Sequence, residues 1–454
     1  MLIKGITPDM RIRTVFLGAS RTFTARLLPM PGACRLFAFV LLFSLSLVAY
    51  GQSGEDTENL VFKAAVYGPG DELFIWWGHA ALIVENTRWN FSKVYDWGIF
   101  SYPSDNFLLD FIKNQVQYKC TSGVLDIDEY IKEDRDVTVY TLDLDNKAKE
   151  AILAYAENKV LPENCYYDYH EFRDNCATGV RDILDLGTGG QFKALYSNTP
   201  GRLSLRQHVR RFTCLRPFPD WCFDFLMGRN LDGPISAWEE MFLPVEIGRN
   251  ITDFRYIDNS GEERSLVRSA QIIHSSKNRD PILNRPLTVW PIHLALGLIL
   301  AFVFLLIKKL RGKFPAAGQI AAGAGQGLLG LFLGAAGSVL FFGLFILPHD
   351  YIRQNINFLF INPLLFLAAP LGIITAAGRK RRLESEKHLR LLWAYVFIAG
   401  FITILAGLIP AFHQQNQSAQ ALILPAALVL AEPERFSGTK KALAFLRKAL
   451  KMPM

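Results

Sequence analysis

The chain has no HExxH run and no paired CxxC motifs, so its histidines and cysteines lack metal-ligand spacing. No glycine-rich loop matches a nucleotide site, and no internal repeat is evident outside the apolar segments. We therefore expect neither metal nor cofactor. Acidic residues are scarce in the last third: residues 287–454 hold 5 Asp and Glu against 17 Lys and Arg, a net of +12. Residues 52–286 hold 36 against 26, a net of −10. The formal charge of +7 thus hides an acidic soluble part, and no nucleic-acid partner is expected.

Near the start, Arg35 precedes an apolar run from Leu36 to Val48, with small residues at Ala49 and Gly51 before Gln52. This reads as a secretory signal over residues 1–51, cut after Gly51, with Met30 as the expected true start. A lipobox cysteine is missing, so the chain is not itself expected to be a lipoprotein. Removing the signal leaves Cys120, Cys165, Cys176, Cys214 and Cys222, an odd number, so at least one stays free. Cys214 with Cys222 and Cys120 with Cys165 are candidate disulfides, which would leave Cys176 as the free thiol.

Four apolar runs, 289–307, 327–347, 357–377 and 389–409, are long enough to span a bilayer, and a fifth, 419–431, is short. The loop 308–313 carries four basic residues, 378–390 six and the tail after Glu432 six, against one at Arg353 on the intervening turns. Sixteen of seventeen share a side only if five segments cross, with the soluble part outside and the tail in the cytoplasm. Expected domains are therefore the signal 1–51, a soluble catalytic domain 52–286, a five-span domain 287–431 and a basic tail 432–454. Gly323, Gly327, Gly330 and Gly334 give the second span GxxxG spacing for close packing. His349 and Asp350, and His413, Gln414 and Asn416, are expected as solvated loop at the outer ends of spans, with contact to lipid head groups or the soluble domain as the alternative.

The soluble part reads as mixed α and β. Strands are expected at 73–84, 93–98, 115–120 and 137–144, and helices at 105–113, 127–133, 148–160 and 177–186. Beyond Gly190 the pattern weakens to a basic segment 202–212, aromatic stretches at 221–227 and 238–242, and a candidate hairpin of 254–257 with 265–268.

Within this frame two motifs carry chemistry, WWGHAAL around His79 and DNCATGVRD around Cys176. Asp174 or Asn175 can cap the helix that follows, which puts Cys176 in its first turn. There the unsatisfied N–H groups and the helix dipole lower a thiol's pKa and can hold an oxyanion. His79, on a strand beside Gly78, is the expected base, with His170 as its rival. Pairing with the next strand, VYDWGIF, brings Asp96 close enough to orient the imidazole; Tyr95 or Tyr167 are the alternatives.

The ordered set WGHAAL, VYDWG, the Arg135–Asp136 pair, YYDYHEF and DNCATGVRD resembles the N-terminal periplasmic domain of the Lnb-type lipoprotein N-acyltransferase family. The five-span layout is similar to that family as well. The His-before-Cys order also resembles circularly permuted relatives of the NlpC/P60 cysteine peptidases, in which a histidine often stands where Asp96 aligns. The resemblance implies an α+β periplasmic domain with a permuted, papain-like NlpC/P60 fold, followed by an all-α five-helix transmembrane domain in a bacterial inner membrane. It further implies acyl transfer to the N-terminal cysteine amine of lipoproteins, with Cys176 as nucleophile, His79 as proton shuttle and Asp96 as orienter. Lipoproteins and phospholipid or diacylglyceryl groups are the expected partners. Tyr95, Arg135, Tyr167, Asn175 and Arg181 are the expected substrate contacts. A wall-directed cysteine peptidase or amidase, and a noncatalytic scaffold, are the competing classes.

Overall fold

Apolar residues alternate with period two along the early strands, and the two faces they make are both covered. The computed structural model describes residues 57–433 apart from 101–109, 111–112, 114–115 and 379–380. The expected signal segment, most of the helix expected at 105–113 and nearly all of the basic tail lie outside these residues. The strands are β1 Leu60–Tyr67, β2 His79–Asn86, β3 Phe91–Phe100, β4 Tyr118–Val124, β5 Val137–Leu142, β6 Tyr166–Tyr167, β7 Arg255–Ile257, β8 Glu263–Ser265 and β9 Val267–His274. One 7-stranded sheet has the order β6-β4-β3-β2-β1-β5-β9 with every pair antiparallel, and β7 with β8 forms a separate hairpin.

The helices of this part are α1 Ile127–Lys132, α2 Asn146–Lys159, α3 Cys176–Gly187, α4 Gln191–Ser197, α5 Leu205–Thr213, α6 Pro217–Leu226, α7 Ala237–Glu240 and α8 Pro244–Ile251. Ala80, Leu82, Val84, Tyr95 and Trp97 face α2 and α3, where Ile152, Val180, Ile183 and Leu184 complete the larger core. Each such aliphatic side chain contributes about 1.5–3 kcal/mol by leaving water. Ala65, Tyr67, Ala81, Ile83, Val94 and Val137 form the opposite face, closed by Ile127 and Tyr130. Gly179 is what lets α3 lie flat on the sheet, because a Cβ there would meet the Trp97 ring at 2.8 Å.

The single strand expected at 73–84 is broken. Leu73–Ile75 is a short 3-10 turn, and Gly78 takes φ +86°, so the extended run begins only at His79. A Cβ at Gly78 would meet Tyr67 O at 2.5 Å, so a side chain is excluded on two grounds. The basic segment expected at 202–212 is mostly α5, and its cations are buried against acids. Fully buried Arg206 reaches Asp232 at 2.7 and 3.0 Å and Asp224 at 3.1 Å, Arg210 reaches Asp220 at 2.7 Å, and His208 reaches Glu240 at 2.8 Å. The aromatic stretches are α6 and α7, and the hairpin uses 263–265 rather than 265–268, because Val267 onward joins the sheet edge through β5.

The helical half comprises α9 Trp290–Lys313, α10 Pro315–Phe345, α11 Ala368–Ala376 at the end of the apolar segment Ile356–Ala376, α12 Arg382–Ala406 and α13 Gln417–Ala431. Four of these segments are long and apolar enough to cross a membrane, and α13 is shorter. The glycine stripe of α10 packs tightly as expected: a Cβ at Gly330 would meet Ala368 at 2.3 Å and one at Gly323 would meet Gly372 O at 2.4 Å. α13 runs from one end of the bundle to the other. At one end Asn416 bonds Asn357, and at the other Glu432 pairs with Lys308 at 3.1 Å and Arg390 at 3.7 Å.

Of the outer-turn residues His413 is exposed as expected, but His349, Gln414 and Asn416 are buried and Asp350 contacts the soluble domain, the alternative reading. Asp350 Oδ1 meets His170 Nε2 at 3.2 Å and its Oδ2 meets Arg173 at 2.8 Å, while Gly228 N donates to Tyr351 O at 2.8 Å. Asn355 Nδ2 donates to Phe225 O at 2.8 Å, and Gln414 Nε2 donates to Met227 O at 3.3 Å and Asn355 Oδ1 at 3.1 Å. These amides are buried, and they help to satisfy the backbone carbonyls at the end of α6.

Candidate active site

The cysteine is placed by its own helix cap. Asn175 Oδ1 accepts from Thr178 N at 2.9 Å while Asn175 N donates to Thr178 Oγ1 at 2.7 Å, a reciprocal capping box. Asn175 Nδ2 donates to Glu171 O at 2.7 Å and Phe242 O at 3.0 Å, which fixes the turn from both sides. Asn175 therefore acts through α3, and its amide is fully used without a substrate. Cys176 is the first residue of α3, with its thiol buried under the sheet.

The imidazole is placed by strand register. Ala81 pairs with Asp96 across β2 and β3, and His79 stands two residues earlier on the same face. His79 Nε2 lies 3.0 Å from Asp96 Oδ1, and the ring also hydrogen-bonds the Cys176 thiol. With Nε2 on the carboxylate, Nδ1 is the nitrogen left for sulfur. Tyr67, the cross-strand partner of His79, stacks beside it at 5.9 Å, and Tyr130 stacks on Tyr67 at 3.8 Å.

These neighbours set the charge state. Burial favours a neutral imidazole, but the Cys176 thiolate and the hydrogen bond to Asp96 outweigh it and hold His79 well above its ordinary value. Burial likewise opposes ionisation of Cys176, yet the His79 charge and hydrogen bond, with the N–H groups of Ala80 and Ala177, hold the thiol below its ordinary value. Cys120, on β4 in the same core, lacks a histidine, and burial pushes it up to about 12. Both directions favour a thiolate–imidazolium pair, and the sulfur lies at a helix N-terminus whose dipole favours negative charge by about 0.3–1 kcal/mol. Thr178 N and Gly179 N are used within the cap, which leaves the N–H groups of Cys176 and Ala177 beside the sulfur for an oxyanion.

The other expected residues divide. Tyr167 is near the thiol, with a buried hydroxyl that has no hydrogen-bond partner. Arg135 lies behind the histidine: its guanidinium sits 4.8 Å over Tyr130, Nε donates to Gly68 O at 3.0 Å, and one buried terminal nitrogen is unpaired. Tyr95 is not brought to the site. It points to the opposite sheet face from Asp96 and donates to Glu157 on α2. Arg181 is also elsewhere, 4.1 Å over Trp238 and bonded to Trp238 O at 3.3 Å. The rival base His170 is turned to Asp350, and Phe172 N donates to its Nδ1 at 3.1 Å.

Tyr67, Tyr130 and Tyr169 are the residues that sequence reasoning missed. Tyr169 stacks on Tyr118 at 4.2 Å, and burial and the nearby Cys176 charge keep its hydroxyl protonated. Its signal was the tyrosine-rich YYDYHEF run just ahead of the cysteine helix. A cavity of about 130 Å³ adjoins Tyr67 and Gly78. All five described cysteines are free thiols, so neither candidate disulfide is formed, although Cys120 N donates to Cys165 O at 2.8 Å. The elimination that singled out Cys176 therefore fails, and its helix cap and histidine distinguish it instead. Among the described residues no group of three or more His, Cys, Asp or Glu is arranged to hold a metal ion.

Residues 52–209 match the family model of the Lnb N-terminal periplasmic domain, in agreement with the family resemblance read from the motifs. That match spans β1 through α3 and ends within α5. With the four apolar helices it describes a membrane protein with a periplasmic N-terminal domain. No curated protein and no solved structure matches the chain.

Proposed function

We propose that the chain is a bacterial inner-membrane acyltransferase that N-acylates the N-terminal cysteine of lipoproteins through a thioester on Cys176. The observation that carries the reading is the hydrogen-bonded series Cys176, His79, Asp96 at a capped helix N-terminus in a domain of the Lnb periplasmic type. In the first half-reaction the Cys176 thiolate attacks an ester carbonyl of a diacylglyceryl group or phospholipid. The ester C–O bond breaks, and His79 gives its proton to the departing alkoxide, leaving a lyso product. In the second, the free α-amine of the lipoprotein attacks the thioester carbonyl and yields its proton to His79. The C–S bond breaks, an amide forms and the thiolate returns. The Cys176 and Ala177 N–H groups bind the oxyanion in both steps. A site closed to water favours the amine as acceptor, since hydrolysis would waste the thioester.

The same reading divides the chain into a signal 1–51, a catalytic domain 52–286, a five-span domain 287–431 and a cytoplasmic tail. Support for the fifth span is the end-to-end course of α13 and the pairing of Lys308, Arg311, Arg382 and Arg390 with Glu386 and Glu432 at one end. Its length of about 22 Å at 1.5 Å per residue suits a thinned or tilted crossing. Reporter fusions at Ser260 and Lys440 should fall on opposite sides of the membrane, and a shared side would remove the fifth span. A papain-like, permuted NlpC/P60 arrangement is supported by the cysteine helix packed on a sheet that supplies the histidine.

The chemistry is tested on the purified full chain. Incubation with a diacylated lipopeptide whose α-amine is blocked should add one acyl mass to the wild type, and a free-amine lipopeptide supplied afterwards should release it as amide. Acyl mass on a Cys176→Ala chain would sink the thioester, and release of wall peptides with no acyl mass would favour the amidase.

A further inference from the structure

A second cavity, of about 460 Å³, lies at the outer end of the helical bundle, where the periplasmic domain meets the turns before Ile356 and after Ala406. Its wall includes Arg229, Asn230, Gln354, Leu408, Pro410 and His413. The thiol site uses none of them.

Three observations point to a ligand. Arg229 has no carboxylate within ion-pair distance among the described residues, and its guanidinium instead sits 5.7 Å from the Phe412 ring. The one acid in the wall, Asp232, is already engaged by Arg206 through two hydrogen bonds of 2.7 and 3.0 Å and by Gln415 N at 3.2 Å. Arg229 is therefore the charged group of the wall left to meet an anion. Gln354 is held at φ +61°, a left-handed conformation costly for a non-glycine residue and a mark of functional sites. His413 Nδ1 donates to Gly407 O at 3.1 Å, which leaves Nε2 for a further partner. On the bundle side the wall continues into apolar surface: Leu408 is 78% exposed, Ile409 52% and Phe412 50%. Cationic and amide groups beside bare apolar residues, at the level where span ends meet the periplasmic domain, suit an amphiphile with an anionic head.

We propose that this cavity holds the phosphodiester head group of a phospholipid, with Arg229 as its principal ligand and the acyl chains lying along Leu408 and Ile409. The site rests on the membrane placement given under the proposed function and is independent of the acyl-transfer chemistry. A bound lipid there would also tie segment 229–234 to the outer turns beside the Asn355 and Gln414 joint.

The test uses the full chain carrying Cys176→Ala, so that no acyl group is consumed, in detergent with phosphatidylglycerol added and binding read by native mass spectrometry. Saturable retention of one lipid is expected, reduced at least tenfold by Arg229→Gln and partly restored by Arg229→Lys. Thermal melting without lipid should match between variants, which separates ligand loss from misfolding. Diacylglycerol, which lacks the phosphate, should not compete. Equal retention by Arg229→Gln, or equal competition by diacylglycerol, would overturn the proposal. So would inorganic phosphate binding as tightly as the lipid, since the source would then be soluble. A chain that stays monodisperse without detergent would instead refute the membrane placement.

Discussion

Around Cys176 the buried polar groups are ionisable, with His79 and Asp96 in one hydrogen-bonded series, whereas at the outer end of the bundle they are amides: Asn355, Asn357, Gln414 and Asn416. Both regions satisfy hydrogen bonds away from water. The amides themselves cannot change charge. A buried carboxylate, imidazole and thiol exchange protons at a cost that their neighbours tune, which a reaction with two proton transfers needs. A buried amide has no such freedom and holds the same bonds at every pH, which suits a joint between a soluble domain and a membrane bundle. Function at one place and fixation at the other are thus written in side-chain chemistry.

Substitutions can break this contrast. The largest effect is expected for Cys176→Ala, which removes the nucleophile and should lower acyl transfer by about 10⁴-fold or more, read as product formed per enzyme. His79→Ala should cost about 10²–10⁴-fold. It should also shift the pH dependence of Cys176 alkylation. In the wild type the imidazolium persists above pH ~6.5 and the thiolate forms below pH ~8.5, so labelling should already be fast at neutrality. Without the histidine, burial is opposed only by the helix end and the Ala80 and Ala177 N–H groups, and the inflection should move upward, toward the behaviour of Cys120. An unmoved inflection would show that His79 is not the partner of the thiol.

Asp96→Asn keeps the base but weakens its orientation, and a loss of roughly 10–100-fold is expected, the scale of an orienting partner. At the joint, Asn355→Ala removes the Asn355 bonds to Leu226 O and Gln414 and should destabilise the chain by about 1–3 kcal/mol in thermal melts, with no change in the alkylation pH profile. The smallest effect belongs to His170→Ala. Its ion pair with the half-exposed Asp350 is worth about 0–1 kcal/mol, and transfer should stay near wild type. A loss as large as that of His79→Ala would reverse the assignment of the base.

The contrast also explains what the sequence could reveal. His79, Asp96 and Cys176 were legible because each is set by local rules, a hairpin register for the first two and a helix cap for the third. Tyr95 shows the same rule misapplied: it neighbours Asp96 on a strand, so period two alone turns it to the other face. The joint was illegible because a buried amide looks like any loop amide until its partner is known, and Gln414 and Met227 are 187 residues apart. The cations of α5 were misjudged for the same reason, since Asp220, Asp224, Asp232, Glu240 and Glu246 arrive from α6, α7, α8 and the turn at Asp232. Tyr67 could have been found, as it is the direct cross-strand partner of His79.

The most direct test of the account is the mass of the N-terminal lipopeptide of a lipoprotein in cells that rely on this chain for N-acylation. The wild type should give an acylated cysteine amine, and Cys176→Ala should leave that amine free at unchanged protein level. An acylated amine in the Cys176→Ala cells, with no other transferase present, would contradict the account.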